Sequence, residues 1–174
     1  MDEKIEKVTK DISKVQEVIN TTRKTADEEK NREARCNNII MYRMPESSSV
    51  QDRVKHDKDF VTDLMKEVLD IEFHDEDIKS MFRLGKCVNE TTLRPIMIQF
   101  KERSQKNKVM ESLSKLKTAP ERFKNLSVTY DLTEDELAEC KQLVEEVSKK
   151  EAEEPEGEYI YRVTGLPGEI IIIK

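Results

Sequence analysis

The chain has 174 residues, with 31 Lys and Arg against 37 Asp and Glu, for a net charge of −6. At 39% charged and 36% hydrophobic it is charge-rich and core-poor beside an average globular chain, and its length fits one modest domain plus an extension. With no Trp, four Gly and five Pro, collagen-like, Pro-rich and Gly-linker compositions are excluded, and no apolar run approaches the roughly 18 residues of a membrane span.

The first thirty residues are charged throughout, so no secretory signal is expected. Within them Ile5, Val8, Ile12, Val15, Ile19, Thr22 and Ala26 recur at alternating spacings of three and four. This predicts a coiled-coil helix over residues 1–35, with Ile5, Ile12, Ile19 and Ala26 at heptad position a and Val8, Val15 and Thr22 at d. β-branched residues at both a and d favour three or four strands over two. Ile5, Val8, Ile12, Val15 and Ile19 are therefore the expected oligomerisation residues of a trimer. The seam fades past Ala26, where Glu29 and Glu33 fall on it. A single amphipathic helix packed on its own domain is the alternative, and the strict spacing favours the coil.

Residues 36–132 read as strand, helix, strand, strand, helix, strand. A short apolar strand over 38–43 stops at Pro45, and Val54, Val61, Leu64, Val68 and Ile71 then recur at helical spacing over 51–70. A weaker strand over 78–84 leads into the turn at Gly85, and 95–100 is the clearest strand in the chain. A helix over 104–117 carries Val109, Met110, Leu113 and Leu116 on one face, and 126–130 alternates as a fourth strand. That order predicts an α+β, ferredoxin-like βαββαβ domain, a superfold that hosts many functions.

Residues 133–174 predict a small module of one helix and a β-hairpin. Thr133 and Glu136 are placed for a capping box, and Leu137, Cys140, Val144 and Val147 form one apolar face of the helix that follows. An acidic loop over 151–158, broken by Pro155 and Gly157, precedes a hairpin whose turn is expected at residues 165–168. Its second strand, 170–173, is fully apolar and needs covering by the helix.

Cys36, Cys87 and Cys140 are an odd, widely spaced set with no CxxC pair, which argues against a disulfide framework or a zinc ribbon. His56 and His74 lie at no ligand spacing from them. An intracellular, soluble protein with no metal and no cofactor is expected.

The charge is unevenly distributed. Residues 79–124 hold twelve basic and four acidic side chains, whereas 44–78 hold four and eleven, and 134–174 five and twelve. A basic block between acidic segments suggests a localised anion-binding face, although scattered solvated charge explains it equally well.

Several segments together carry a resemblance: the heptad helix, Arg35-Cys-Asn-Asn-Ile-Ile-Met-Tyr-Arg-Met-Pro-Glu46, the basic turn Arg83-Leu-Gly-Lys86, Arg94-Pro-Ile-Met-Ile-Gln-Phe100 and Asp131-Leu-Thr133. In this order and spacing the chain resembles the first open-reading-frame proteins of LINE-type retrotransposons, the transposase-22 family. The resemblance covers nearly the whole chain. It implies a coiled coil (1–35), an RNA-recognition-motif-like (RRM-like) domain (36–132) and a small C-terminal domain (133–174). It further implies a homotrimeric protein that binds single-stranded RNA, and in some settings DNA, with nucleic-acid chaperone activity. Such a protein packages its RNA into a cytoplasmic ribonucleoprotein particle with nuclear access and makes no membrane association. The net charge of −6 departs from the family, whose strong binders are basic.

The residues expected to contact nucleic acid are mainly cations, since phosphate contacts supply most sequence-independent affinity. Arg83, Lys86 and Arg94 flank the loop between the second and third strands. Lys101, Arg103, Lys106 and Lys108 crowd the start of the second domain helix, where the helix dipole also favours anions. Lys117, Arg122 and Lys124 mark its far end, and Arg43 ends the first strand. Arg35 stands at the junction with the coil, and Tyr161 with Arg162 match the family's second binding surface. The usual aromatic consensus is missing from the third strand, whose Phe100 is expected in the core. Tyr42 is expected to pack in the core rather than to stack on bases.

No Cys–His pair, Ser–His–Asp spacing or P-loop is present. Asp57, Asp59 and Asp63 fall at i, i+2 and i+6 and do not converge on one helical face. An enzyme is not expected. The main rival is a coiled-coil scaffold whose domain binds protein, with an inactive retroelement copy as its variant.

Overall fold

A computed structural model describes residues 2–47, 49, 51–86, 93–153 and 160–173, with side chains from residue 6 onward. Ile5's side chain, Cys87 and residues 154–159 of the expected acidic loop lie outside the described residues. The chain is mixed α+β and divides into two compact units, residues 36–131 and residues 1–35 with 132–174. The N-terminal helix and the C-terminal module, read from the sequence as separate, thus form one unit.

In the first of these units β1 (Asn38–Tyr42) lies between β3 (Ile96–Phe100) and β4 (Ser127–Tyr130), and β2 (Ile78–Arg83) flanks β3. All pairings are antiparallel, in the order β2-β3-β1-β4. Helices α2 (Arg53–Asp63) and α3 (Arg103–Ser112) cover one face. Phe60, Val61 and Leu64 of the α2 segment and Val109 of α3 share a single buried cluster with Ile39, Met41, Ile96, Ile98 and Phe100. Phe100 is fully buried there, as its alternation with Ile96 and Ile98 requires.

Helix α2 continues into a π-helical turn, Leu64–Val68, closed by the Leu69 N–H donating to the Leu64 carbonyl at 3.0 Å. Leu64, Met65, Val68, Leu69 and Ile71 are all buried, too wide a cluster for the 3.6-residue period to point inward. The wider turn seats them together and ends on Asp70 at φ 55°. Helix α3 likewise tightens to a 3-10 turn, Leu113–Thr118, so both helices are shorter than their apolar periodicity suggests.

The other unit comprises α1 (Asp2–Arg35), α4 (Glu134–Glu153) and the hairpin β5 (Arg162–Leu166) and β6 (Glu169–Ile173). The capping box forms as expected: the Thr133 N–H donates to Glu136 Oε2 at 2.9 Å, and the Glu136 N–H donates to Thr133 Oγ1 at 3.2 Å. Glu136 is only 2% exposed, because Arg32 Nε on α1 donates to its Oε1 at 2.7 Å. Thr133's hydroxyl donates to Glu28, and Arg35 donates to Asn31 Oδ1 at 3.1 Å and to the Leu132 carbonyl at 3.1 Å.

Drawing Glu136 inward rotates α4 away from the expected face. Val147 is buried and Cys140 and Leu143 half-buried, while Leu137 and Val144 are exposed. Helix α4 packs on both hairpin strands but covers one face only, so Ile170 and Ile172 are half-buried and Ile171 and Ile173 exposed. The hairpin turn is also tighter than expected, with β5 running through Gly165 and Leu166. At φ 135°, a Cβ on Gly165 would lie 2.1 Å from the Glu169 carbonyl, so only glycine fits there.

Val8, Ile12, Val15 and Ile19 of the heptad seam are all exposed along α1. The residues that hold α4, Glu28, Arg32 and Arg35, fall at heptad positions c and g, well around the helix from a and d. No helix among the described residues is long and apolar enough to cross a membrane.

Candidate nucleic-acid interface

Successive strand residues point to opposite faces. With Ile39, Met41, Ile96 and Ile98 buried under the helices, the opposite face belongs to Ile40 and Tyr42 of β1, Met97 and Gln99 of β3, Ser80 and Phe82 of β2, and Ser127 and Thr129 of β4. Phe82 is directly opposite Met97, Ile40 is opposite Met97 on its other side, and Tyr42 is the next residue along that face. Tyr42 is 38% exposed and Phe82 48% exposed. Two accessible aromatic rings therefore flank a thioether and an isoleucine on the face turned away from the helices.

Tyr42's exposure corrects the expectation that it packs in the core. Four consecutive residues, Ile39 to Tyr42, are apolar, so alternation gave no parity, and Met41 took the buried position. Arg43 then leaves the strand at φ 59°, a left-handed conformation rare outside glycine, and is exposed beside Tyr42. Phe82 was missed altogether. A register shift between Ile78 and Ser80 breaks the alternation of β2, and reading back from Arg83, whose side chain turns inward, would have exposed it.

Arg83 is the clearest departure from the expected phosphate ligands. Its side chain is 6% exposed, and all five guanidinium N–H groups are engaged. Nε donates to Asp57 Oδ2 at 2.9 Å and Nη2 to Asp57 Oδ1 at 2.5 Å. Nη2 also donates to the Pro45 carbonyl at 2.7 Å, and Nη1 donates to the Met44 and Arg94 carbonyls at 3.0 and 2.8 Å. No donor is left for a phosphate.

Arg94 is likewise paired, its guanidinium bridging both oxygens of Glu46, which Arg53 also approaches at 3.5 Å. The bond from Arg94, helped by the charges of Arg94, Arg83 and Arg53, holds the Glu46 carboxyl below the usual glutamate range against the opposing effect of burial. A depressed carboxyl contributes stability above its unfolded pKa and loses it as pH falls through the folded value. Glu46→Gln is therefore expected to melt below wild type at neutral pH, with the two converging as the buffer is acidified through and below the ordinary glutamate range. A gap that stays constant in a melting series would assign the loss to something other than ionised Glu46.

Of the remaining cations, Arg122 bridges Asp63 and Glu67 at 3.1 and 2.7 Å and stacks on Phe123, and Lys124 pairs with Glu121 at 2.5 Å. Arg43, Lys86, Lys101, Arg103, Lys108 and Lys117 are exposed and pair with no carboxylate among the described residues. Lys106 is 3% exposed, its ammonium 4.9 Å from the centre of the Tyr130 ring. Burial and then the neighbouring Arg103 hold its pKa below the usual lysine value. Burial, with Glu111 adding to it, pushes the Tyr130 phenol up. Arg35, half-buried Tyr161 and exposed Arg162 belong to the other unit.

The structure thus brings Lys101, Arg103, Lys106 and Lys108 together around the start of α3 and removes Arg83 from the surface. No protein-family model matches this chain, and no curated protein matches it.

Proposed function

We propose that this chain binds single-stranded nucleic acid on an RRM-like sheet and self-associates through α1, in the manner of the LINE first open-reading-frame proteins it resembles. The observation that carries this reading is the helix-free sheet face, where Tyr42 and Phe82 stand exposed around Met97. Single-strand binders stack bases on aromatics displayed on such a sheet and track the backbone with cations. The chain order βαββαβ and the strand order β2-β3-β1-β4 support the RRM-like assignment. Self-association is supported by an exposed seam of β-branched residues, Val8, Ile12, Val15 and Ile19, lying around α1 from the residues that hold α4. A trimer is the state those residue types favour.

A protein-binding scaffold is the second reading. Arg83, Arg94, Arg122 and Lys124 are consumed in internal ion pairs, which leaves fewer cations for a phosphate backbone than their number suggests. An anisotropy titration with labelled single-stranded RNA of about 30 nucleotides, at low and physiological salt, separates the two, because each neutralised phosphate steepens the salt dependence. A steep slope supports nucleic-acid binding. Absence of binding at low salt, from folded and oligomeric protein, leaves the scaffold.

A further inference from the structure

We infer that the β3–α3 junction is a subsite for one phosphoryl group, gripped by Lys106, Arg103 and the first-turn amides of α3. This rests on the nucleic-acid reading and gives that site a defined anchor.

Helix α3 starts at Arg103 after an extended Glu102 whose side chain makes no cap, and its first turn holds no acidic residue. The first N–H groups of a helix have no intrahelical partner and carry its positive dipole end. Natural helices place carboxylates there, and this one places Arg103 and, one turn later, Lys106. Residues three apart share a helical face, so these like charges repel.

Lys106 is the independent observation. It is 97% buried, yet its ammonium makes no hydrogen bond and no ion pair, and the Tyr130 ring offers no acceptor to its three N–H donors. A buried cation without an acceptor is costly unless an anion completes it. Its Nζ is not among the sealed polar atoms, which among the described residues are Asn38 Oδ1, His56 Nδ1 and Gln105 Oε1. A ligand can reach it. Helical side chains lean toward the helix N-terminus, which directs Lys106 back over Arg103 and the first-turn amides.

One carboxylate stands nearby. Glu102, at the N-cap, accepts the Ser104 hydroxyl at 3.1 Å and is exposed, free to swing into solvent. Lys101, also exposed, adds a third positive charge. Along β3 the junction lies about 13 Å from Met97, at the rise of a strand. Tyr42 stands toward the other end of the sheet, so a strand stacked on the aromatics and anchored here would run along β3.

The test uses the full chain, with inorganic phosphate and single-stranded RNA as separate probes at matched ionic strength. Phosphate is expected to shift the backbone amide resonances of Arg103 to Lys106 saturably, and Lys106→Met is expected to abolish this. The same variant, which keeps the buried stem, is expected to weaken RNA binding about tenfold and to lower the salt slope by about 0.7. Lys66→Met, on an exposed lysine of the α2 segment, controls for general charge. Should Lys106→Met not fold, Arg103→Gln at the exposed partner reads the same slope.

If wild type binds RNA and these variants bind it with unchanged affinity and slope, the subsite is overturned while the nucleic-acid reading stands. If wild type binds no RNA but phosphate still saturates these amides, the subsite stands as a free-phosphate site and the nucleic-acid reading falls. If neither probe binds, both fall.

Discussion

Arg83→Met is expected to cost about 3–5 kcal/mol of unfolding free energy, because it leaves Asp57 as a buried charge without its partner. Asp57 is itself only 7% exposed along its side chain. The variant also strips hydrogen bonds from the carbonyls of Met44, Pro45 and Arg94, which tie the chain after β1 to the chain before β3. In a unit of about 100 residues this should lower the melting temperature by more than about 10 °C. Arg83→Lys should recover little, since an ammonium cannot reproduce the planar five-donor fork. Asp57→Leu combined with Arg83→Met should restore part of the loss by removing the orphaned charge. A melting temperature within experimental error of wild type would show that this end of the sheet is held by something else. The same fragility makes Arg83→Ala a misleading probe of RNA binding, because affinity would fall with the fold.

Tyr42→Ala with Phe82→Ala is expected to do the opposite, reducing RNA affinity and leaving the fold intact. Each base stacked on an aromatic contributes about 1–3 kcal/mol, so losing both rings should weaken binding at least about thirtyfold. Both rings lie substantially in solvent, so the core they leave behind, around Ile39, Met41, Ile96 and Ile98, is unchanged and the melting temperature should barely move. The salt slope should also hold, because no phosphate contact is lost. Unchanged affinity in this double variant would remove the sheet face from the binding surface.

Architecture was more legible in the sequence than the identity of the surface residues. The heptad helix, six strands and three further helices follow from periodicity, because burial of one face imposes a period of 3.6 or 2 on the apolar residues. The capping box at Thr133 and Glu136 was readable because it is local. What failed was parity and partnership. Ile39 to Tyr42 are uniformly apolar, so only the register with β3 decides that Tyr42 points outward. Arg83 reads as one more cation in a basic block until the fold sets Asp57, 26 residues away, against it. A charge seen in sequence carries no record of the carboxylate or carbonyl that will occupy it. Lys106 shows the converse: among exposed lysines of identical composition it alone is sealed into the structure, with no acid to match.

The π-helical turn at Leu64–Val68 bears on how this chain is compared with others. Such a turn holds one residue more than an α-helical turn while returning the flanking segments to the same axis. A chain lacking one of the exposed residues here, Lys66 or Glu67, would wind as an ordinary α-helix and still deliver Leu69 and Ile71 to the interior. A single-residue gap at this point of an alignment is therefore a change of winding that preserves the buried face. Aligning straight through it without the gap would shift the residues of this segment by one and pair buried positions with exposed ones.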